Sequence, residues 1–222
     1  MAKQPLAGHT KTRLCPPLTP GQAARLYDAF LRDVVDIARA VSRLVDGVHP
    51  HIAYAPGGQP AFFAELAPDF DVIAQRGETL GARLDHVLTD RLSRGYDQVV
   101  AINSDSPTLP PPYIAQAFTQ LESAQIDAVF GPCEDGGYYL IGVDAPHPRL
   151  VLDVQMSTSH VLCDTLALAG EEGLTTALTP PWYDVDTIDE LTWLQRELAQ
   201  CPPETARHTR DFFATHGVVL EA

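Results

Sequence analysis

"QVVAINSDSPTLPPPYI", residues 98–114, is the stretch on which the fold turns. Gln98 to Ile102 is a short apolar run of β-branched residues, the pattern of a buried strand. It breaks off into Asn103–Pro112, a loop stiffened by Pro107 and Pro110, and resumes as a helix through Tyr113, Ala117 and Leu121. Strand, loop, helix is half of a crossover unit. Such units repeat on both sides of this stretch.

Upstream, Thr19-Pro20-Gly21-Gln22 reads as a helix start, with Thr19 as cap, Pro20 at the first turn and Gln22 closing a capping box. Ala23, Tyr27, Phe30, Val34, Ala38, Val41 and Val45 follow at helical spacing, and the helix ends near Asp46-Gly47. Strands are expected at 51–55 and 70–74. A helix over 79–93 carries Leu80, Leu84, Val87, Leu88 and Leu92 and stops at Gly95. Downstream, strands are expected at 127–131, 138–143 and 174–178, and helices at 159–169 and 188–198. This alternation predicts an α/β chain: a mostly parallel sheet with helices on both faces. Residues 1–200 read as one domain, and the Pro-rich stretch from Cys201 to Pro203 sets off 201–222 as a peripheral C-terminal helix whose apolar face leaves room for a homodimer.

Composition narrows the function. The 222 residues hold 15 Lys plus Arg against 29 Asp plus Glu, a formal charge of −14, which disfavours nucleic acid as a partner. No apolar run is long enough for a membrane span, and the polar first residues do not read as a signal peptide. Cys15, Cys133, Cys163 and Cys201 show no C-x-x-C spacing, which argues against zinc and fits a reduced, cytoplasmic setting.

In open α/β sheets ligands bind beyond the carboxyl ends of the strands, so the loops there are the ones to read. Four carry unusual residues. In the opening segment, Gly8 permits close backbone approach to an anion, and Lys3, Lys11 and Arg13 supply cations in a chain poor in them; a solvated basic arm is the alternative. After Ile102, Asp105 sits between Ser104 and Ser106, placed for Mg²⁺ or Mn²⁺ or, alternatively, making an Asx turn. In "GPCEDGGYYLIG", 131–142, Glu134 and Asp135 could orient an acceptor hydroxyl or act as base, Gly136-Gly137 gives backbone freedom and Tyr138 could stack on a ring; an ordinary Asp-Gly-Gly turn stands beside that reading. In "WYDVDTIDEL", 182–191, Asp184 and Asp186 share one face of an extended segment, and Thr187 can cap the next helix. Asp186 is expected as metal ligand, with Asp184 behind it.

At these loops the sequence resembles a bacterial GT-A-type family in the nucleotide-diphospho-sugar transferase superfamily, long catalogued as a domain of unknown function, with some members described as glycosyltransferases of arsenosugar-type biosynthesis. The resemblance rests on "AKQPLAGHTKTRL" (2–14), "GETLGARL" (77–84), "NSDSPTLPPPYI" (103–114), "GPCEDGGYYLIG" (131–142), "STSHVL" (157–162) and "YDVDTIDEL" (183–191). It implies a three-layer Rossmann-like GT-A fold with a mostly parallel mixed sheet and a metal-dependent transferase. Lys11 and Arg13 would contact phosphates, Asp105 and Asp186 would hold the metal, and Gln75, Gly77 and Gly81 would lie near the base or ribose. The substrate implied is a nucleotide sugar with a small-molecule acceptor. Nucleotidyl transfer from a nucleoside triphosphate to a phosphorylated acceptor, or nucleotide binding without catalysis, are the alternatives. Two departures stand out. Family members carry an apolar strand before the "AK-P" segment, so the resemblance implies either that the start at Met1 omits the first strand or that the fold lacks it; and Asn103 and Met156 stand where glycine and tryptophan are usual.

Overall fold

The computed structural model describes residues 1–217; residues 218–222, the end of the expected C-terminal helix, lie outside them. The elements, in chain order, are a 3-10 turn Thr12–Leu14, α1 (Pro20–Leu44), β1 (His51–Tyr54), α2 (Pro60–Leu66), β2 (Asp71–Ala74), α3 (Leu80–Ser93), β3 (Val99–Ile102), α4 (Pro111–Leu121), β4 (Ala128–Pro132), β5 (Tyr138–Val143), α5 (Arg149–Leu152), α6 (Val161–Glu171), β6 (Thr176–Leu178), α7 (Ile188–Gln200) and α8 (Arg207–His216). The capping signals act as expected. Thr19 and Gln22 form a reciprocal capping box on α1, as do Thr187 and Glu190 on α7. The short helices α2 and α5 escape the periodicity reading because seven and four residues complete too few turns to show one.

The described strands form two sheets. β1 and β2 pair in parallel, while the larger sheet has the order β3-β5-β4-β6. β5 runs antiparallel to both β3 and β4, and β6 runs parallel to β4. The architecture is therefore mixed α/β in three layers. Period-two alternation divides the larger sheet's side chains between two cores. Val129 and Leu140 face α1 and α4 through Val41, Ile114 and Ala117, while Phe130, Ile141 and Val143 face α3, α5 and α6 through Leu84, Val151 and Ala169. The run 98–102, expected to be buried, is only half-buried throughout β3. The two sheets do not join beside it. Between them lie Met1 and Ala2, the latter bridging in parallel to Tyr54.

α8 is stitched onto α1. Asp33, 3% exposed, accepts from the backbone N–H groups of His208 and Thr209 and from the Thr209 hydroxyl. With Phe212 buried against the α1 core, the described part of this helix packs its apolar face within the chain.

β3, β4 and β6 point the same way, so the loops that leave them, 103–110, 133–137 and 179–187, emerge at one end of the sheet. The segment 3–11 follows Ala2, which is parallel to β1. All four segments singled out in the sequence therefore have the topology to meet.

Candidate active site

They meet at Lys11. Its backbone is held at φ 50°, ψ 40° at the head of the 3-10 turn, a left-handed conformation costly to a side-chain-bearing residue. Leu14, fully buried, anchors that turn. The Lys11 side chain is 4% exposed. Its ammonium lies 2.5 Å from Asp105 Oδ1 and 2.8 Å from Asp186 Oδ1, and donates to the Val185 carbonyl at 2.8 Å. An ammonium has three N–H donors, so all three are used. Tyr27 and Phe30 present their rings to it at 5.8 and 5.7 Å. Burial by itself would pull the Lys11 pKa down, but Asp105 and Asp186 outweigh it and push it up. Likewise burial would raise Asp186, yet the Lys11 ammonium holds its carboxyl below the usual range.

The backbone ties the loops together. The Val185 N–H donates to the Asp105 carbonyl at 2.9 Å, and the Trp182 N–H to the Pro132 carbonyl at 3.0 Å. Glu190 accepts the N–H groups of both Asp186 and Thr187, so Asp186 keeps its carboxylate out of the helix cap. Asp105 does not form the turn either. Asn103 does that, its side-chain oxygen receiving the Asp105 N–H at 3.4 Å. Ser104 is buried and its hydroxyl shares a 2.8 Å hydrogen bond with that of Tyr27, which also accepts from the Lys3 N–H. Tyr27 thereby links two of the loops. Sequence reasoning placed it on the apolar face of α1 and missed this role, because period alone does not distinguish a phenol from a hydrocarbon.

Asp135 and Asp184 adjoin this centre. One Asp135 oxygen accepts the Gly137 N–H at 2.8 Å, so the turn reading holds for half of the carboxylate, and the residue is exposed. One ligand atom each from Cys133, Asp135 and Asp184 falls within 4.8 Å of the others, the metal-capable group found among the described residues. Burial, then repulsion from Asp186, Asp135 and Asp105, pushes Asp184 up to about 7. Burial, then the charges of Asp184, Asp135, Asp105 and Asp186, push the Cys133 thiol up as well. Two of these three groups offer carboxylate oxygens, the donor type that hard divalent cations take.

The other expected residues lie as follows. Arg13 is 76% exposed, its guanidinium 4.0 Å from Asp186. Lys3, Gly8, Gly77 and Glu134 are exposed. Gln75 is buried and donates its side-chain amide to the Ala53 carbonyl at 2.7 Å. Gly81 packs α3 against α5, where an added Cβ would stand 2.0 Å from the Val151 carbonyl. Tyr138 lies over Phe130 and donates to the Met156 sulfur at 3.8 Å, on the core side of the sheet. Gly136, at φ 88°, is set so close to Ser159 that a Cβ would fall 1.9 Å from its carbonyl oxygen. Gly136→Ala is expected to cost about 2–4 kcal/mol from left-handed strain and overpacking, read as a drop of roughly 4–16 °C in Tm.

The charge state of Asp184 has a measurable consequence. An acid whose folded pKa lies above its unfolded value binds its proton more tightly when folded. The contribution of Asp184 to stability therefore falls as pH rises from about 4 through about 7, then levels off. Asp184→Asn is expected to raise Tm by a few degrees at pH 8 and to change it little at pH 4, as thermal unfolding in metal-free buffer would record.

Comparison with known proteins follows the same lines. The pattern of the family described as "Uncharacterized protein conserved in bacteria (DUF2064)" matches residues 39–158. A crystal structure from Desulfovibrio desulfuricans, of a protein described as a candidate nucleotide-diphospho-sugar transferase, is similar at 32% identity and a TM-score of 0.85, over 96% of this chain and 93% of that one. CMP:2-keto-3-deoxy-manno-octonic acid synthetase, solved with CTP, is similar at 14% identity and 0.52, over 77% and 88%. A cytidylyltransferase from Leptospira borgpetersenii is similar at 12% and 0.51, over 87% and 88%. The last two share the fold alone. No curated protein matches the chain.

Proposed function

Since the chain belongs to the bacterial DUF2064 family, whose fold it shares with nucleotide-handling transferases, we propose that it is a glycosyltransferase that moves a sugar from a nucleoside diphosphate to a small acceptor. The observation that carries this reading is the electrostatic imbalance at the sheet's end. Asp184 is repelled by three further carboxylates, Asp105, Asp135 and Asp186, and the buried ammonium of Lys11 beside two of them has every donor engaged. Lys11 fixes Asp105 and Asp186 from the inside. The carboxylates Asp135 and Asp184, which Lys11 does not pair, with the second oxygen of Asp105, would hold Mg²⁺ or Mn²⁺, so the sequence-derived order of Asp184 behind Asp186 is reversed in this proposal.

The metal, when bound, would neutralise charge developing on the departing diphosphate. Arg13 and Lys3, both solvent-facing, would meet its outer oxygens; Lys11 would serve as a positioning residue. The free oxygen of Asp135 would orient or deprotonate an acceptor hydroxyl.

Nucleotidyl transfer is the second reading, favoured by the exposure of Arg13 and Lys3, which leaves both available to a triphosphate. Incubation with Mn²⁺ and single nucleotide sugars, and separately with nucleoside triphosphates and a phosphorylated acceptor, separates the two. Release of nucleoside diphosphate supports glycosyl transfer. Acceptor-dependent pyrophosphate release replaces it with nucleotidyl transfer, and binding without turnover removes both. The same protein supplies a metal test: at pH 8, Mn²⁺ is expected to raise the Tm of the native chain and leave that of Asp184→Asn unmoved.

A further inference from the structure

The carboxylates proposed to hold Mg²⁺ or Mn²⁺ have a sulfur beside them that such a cation does not use. Cys133 Sγ and one oxygen each from Asp135 and Asp184 lie within 4.8 Å of one another. They converge because two loops run in register. Cys133 and Trp182 form a parallel bridge, and the Trp182 N–H donates to the Pro132 carbonyl at 3.0 Å. Two residues further along each loop stand Asp135 and Asp184. In the extended segment 182–186, Tyr183 and Val185 are buried in the α1 core, so alternation turns Asp184 to the opposite side, toward Cys133.

The donor atoms are carried on a closed frame. The Cys133 N–H donates to the Gly137 carbonyl at 3.0 Å, and the Cys133 carbonyl accepts the Gly136 N–H at 3.2 Å. The Gly137 N–H holds one Asp135 oxygen at 2.8 Å, and the Gly136 carbonyl accepts the Leu162 N–H at 3.1 Å, which fastens the loop to α6. A frame fixed before its ligand arrives gives up little freedom on binding.

Cys133 is 8% exposed, and among the described residues its thiol makes no hydrogen bond. Behind it lies the core that includes Tyr139 and Leu140, and before it the two carboxylates. A buried, unpartnered sulfur aimed at carboxylate oxygens completes a donor set that Mg²⁺, which takes oxygen alone, cannot exploit. Thiolate favours zinc-like cations, and affinity for a shared set of ligands rises from Mn²⁺ toward Zn²⁺. Tetrahedral Zn²⁺ needs sulfur and oxygen ligands about 3.3–3.7 Å apart, so the group closes by about 1 Å around it. Asp135, the exposed member, has the room to move. The absence of C-x-x-C spacing argues against zinc where one segment supplies the ligands; here they come from two loops.

We propose that Cys133, Asp135 and Asp184 form a site for a thiophilic divalent cation of the Zn²⁺ class, and that its occupancy withdraws Asp135 and Asp184 from the hard cation that turnover requires. The first half stands on the donor geometry; the second rests on the proposed transferase function. As the sulfur–metal bond forms the S–H bond breaks, and the proton passes to solvent.

Co²⁺ is the probe for binding, because a cobalt–thiolate bond gives a near-ultraviolet charge-transfer band that carboxylates alone do not. The reduced, metal-free 222-residue chain is expected to take up one Co²⁺ with that band. Zn²⁺ is expected to abolish the band by displacement, and Mg²⁺ at the same concentration to leave it in place. Cys133→Ala and Cys133→Ser, each checked for a cooperative thermal transition, are expected to lose the band, and Asp184→Asn to bind Co²⁺ at least about tenfold more weakly. No band in the native chain would overturn the site. So would the same band in a folded Cys133 variant, which would assign it to Cys15, Cys163 or Cys201. In a Mn²⁺-dependent assay, Zn²⁺ is expected to halve the turnover of the native chain at a concentration at least about tenfold lower than that needed for Cys133→Ala, each measured against its own uninhibited rate. Equal sensitivity would overturn the competition. A chain that shows the band yet turns over no nucleotide substrate would remove the proposed function, and the competition with it, and leave the site.

Discussion

Asp105→Asn is expected to lower turnover by about 10²–10³-fold, the scale on which a single preorganised charge contact acts at a reacting centre. The substitution keeps the shape of the side chain and its backbone links to Asn103 and Val185. Lys11 retains Asp186 and the Val185 carbonyl. Asp105 is also one-third exposed, so water softens the loss of its ion pair. Tm should therefore fall by only a few degrees, and Mn²⁺ should stabilise this variant less than the native chain. Full activity in a purified, folded Asp105→Asn protein would remove Asp105 from the mechanism.

Lys11→Ala is expected to produce the largest loss of stability. It strips the ammonium from two carboxylates and a carbonyl and leaves a gap beside Tyr27 and Phe30. Breaking a buried pair from one side costs about 3–5 kcal/mol. With the partner carboxylates 33% and 43% exposed, about 2–3 kcal/mol is the better figure. That is roughly 4–12 °C in Tm for a chain of this length. Lys11→Met restores most of the packing without the charge and separates the two contributions. If a divalent cation can take up the carboxylates' charge, Mn²⁺ should recover more Tm in Lys11→Met than it adds to the native chain. Equal gains would count against carboxylates shared between lysine and metal.

Much of the fold was legible because it rests on local chemistry. The capping boxes at Thr19 and Thr187, the helical stripe from Ala23 to Val41 and the strand Tyr138–Val143 each follow from residues adjacent in the chain. Glycine at 136 follows in part: its turn was readable, whereas the contact with Ser159 that forbids a Cβ was not. The site was legible as a set of loops, because a parallel-type order obliges the loops after β3, β4 and β6 to share one end.

The pairing within the site was not legible. Lys11 and Arg13 stand two residues apart and looked alike as phosphate contacts, yet one is sealed among carboxylates and the other lies in solvent. Asp184 and Asp186 differ in the same way: one is neutralised by Lys11, and the other carries the unbalanced charge. Sequence alone determined which residue types arrive at the sheet's end, since that depends on local propensity and the order of elements. Which carboxylate meets which cation, and whether β3 is covered on its outer edge, were decided only by the tertiary structure. Distances of a few ångströms between residues far apart in the chain, 175 positions for Lys11 and Asp186, set desolvation and Coulomb energy, and no pattern along the chain encodes them.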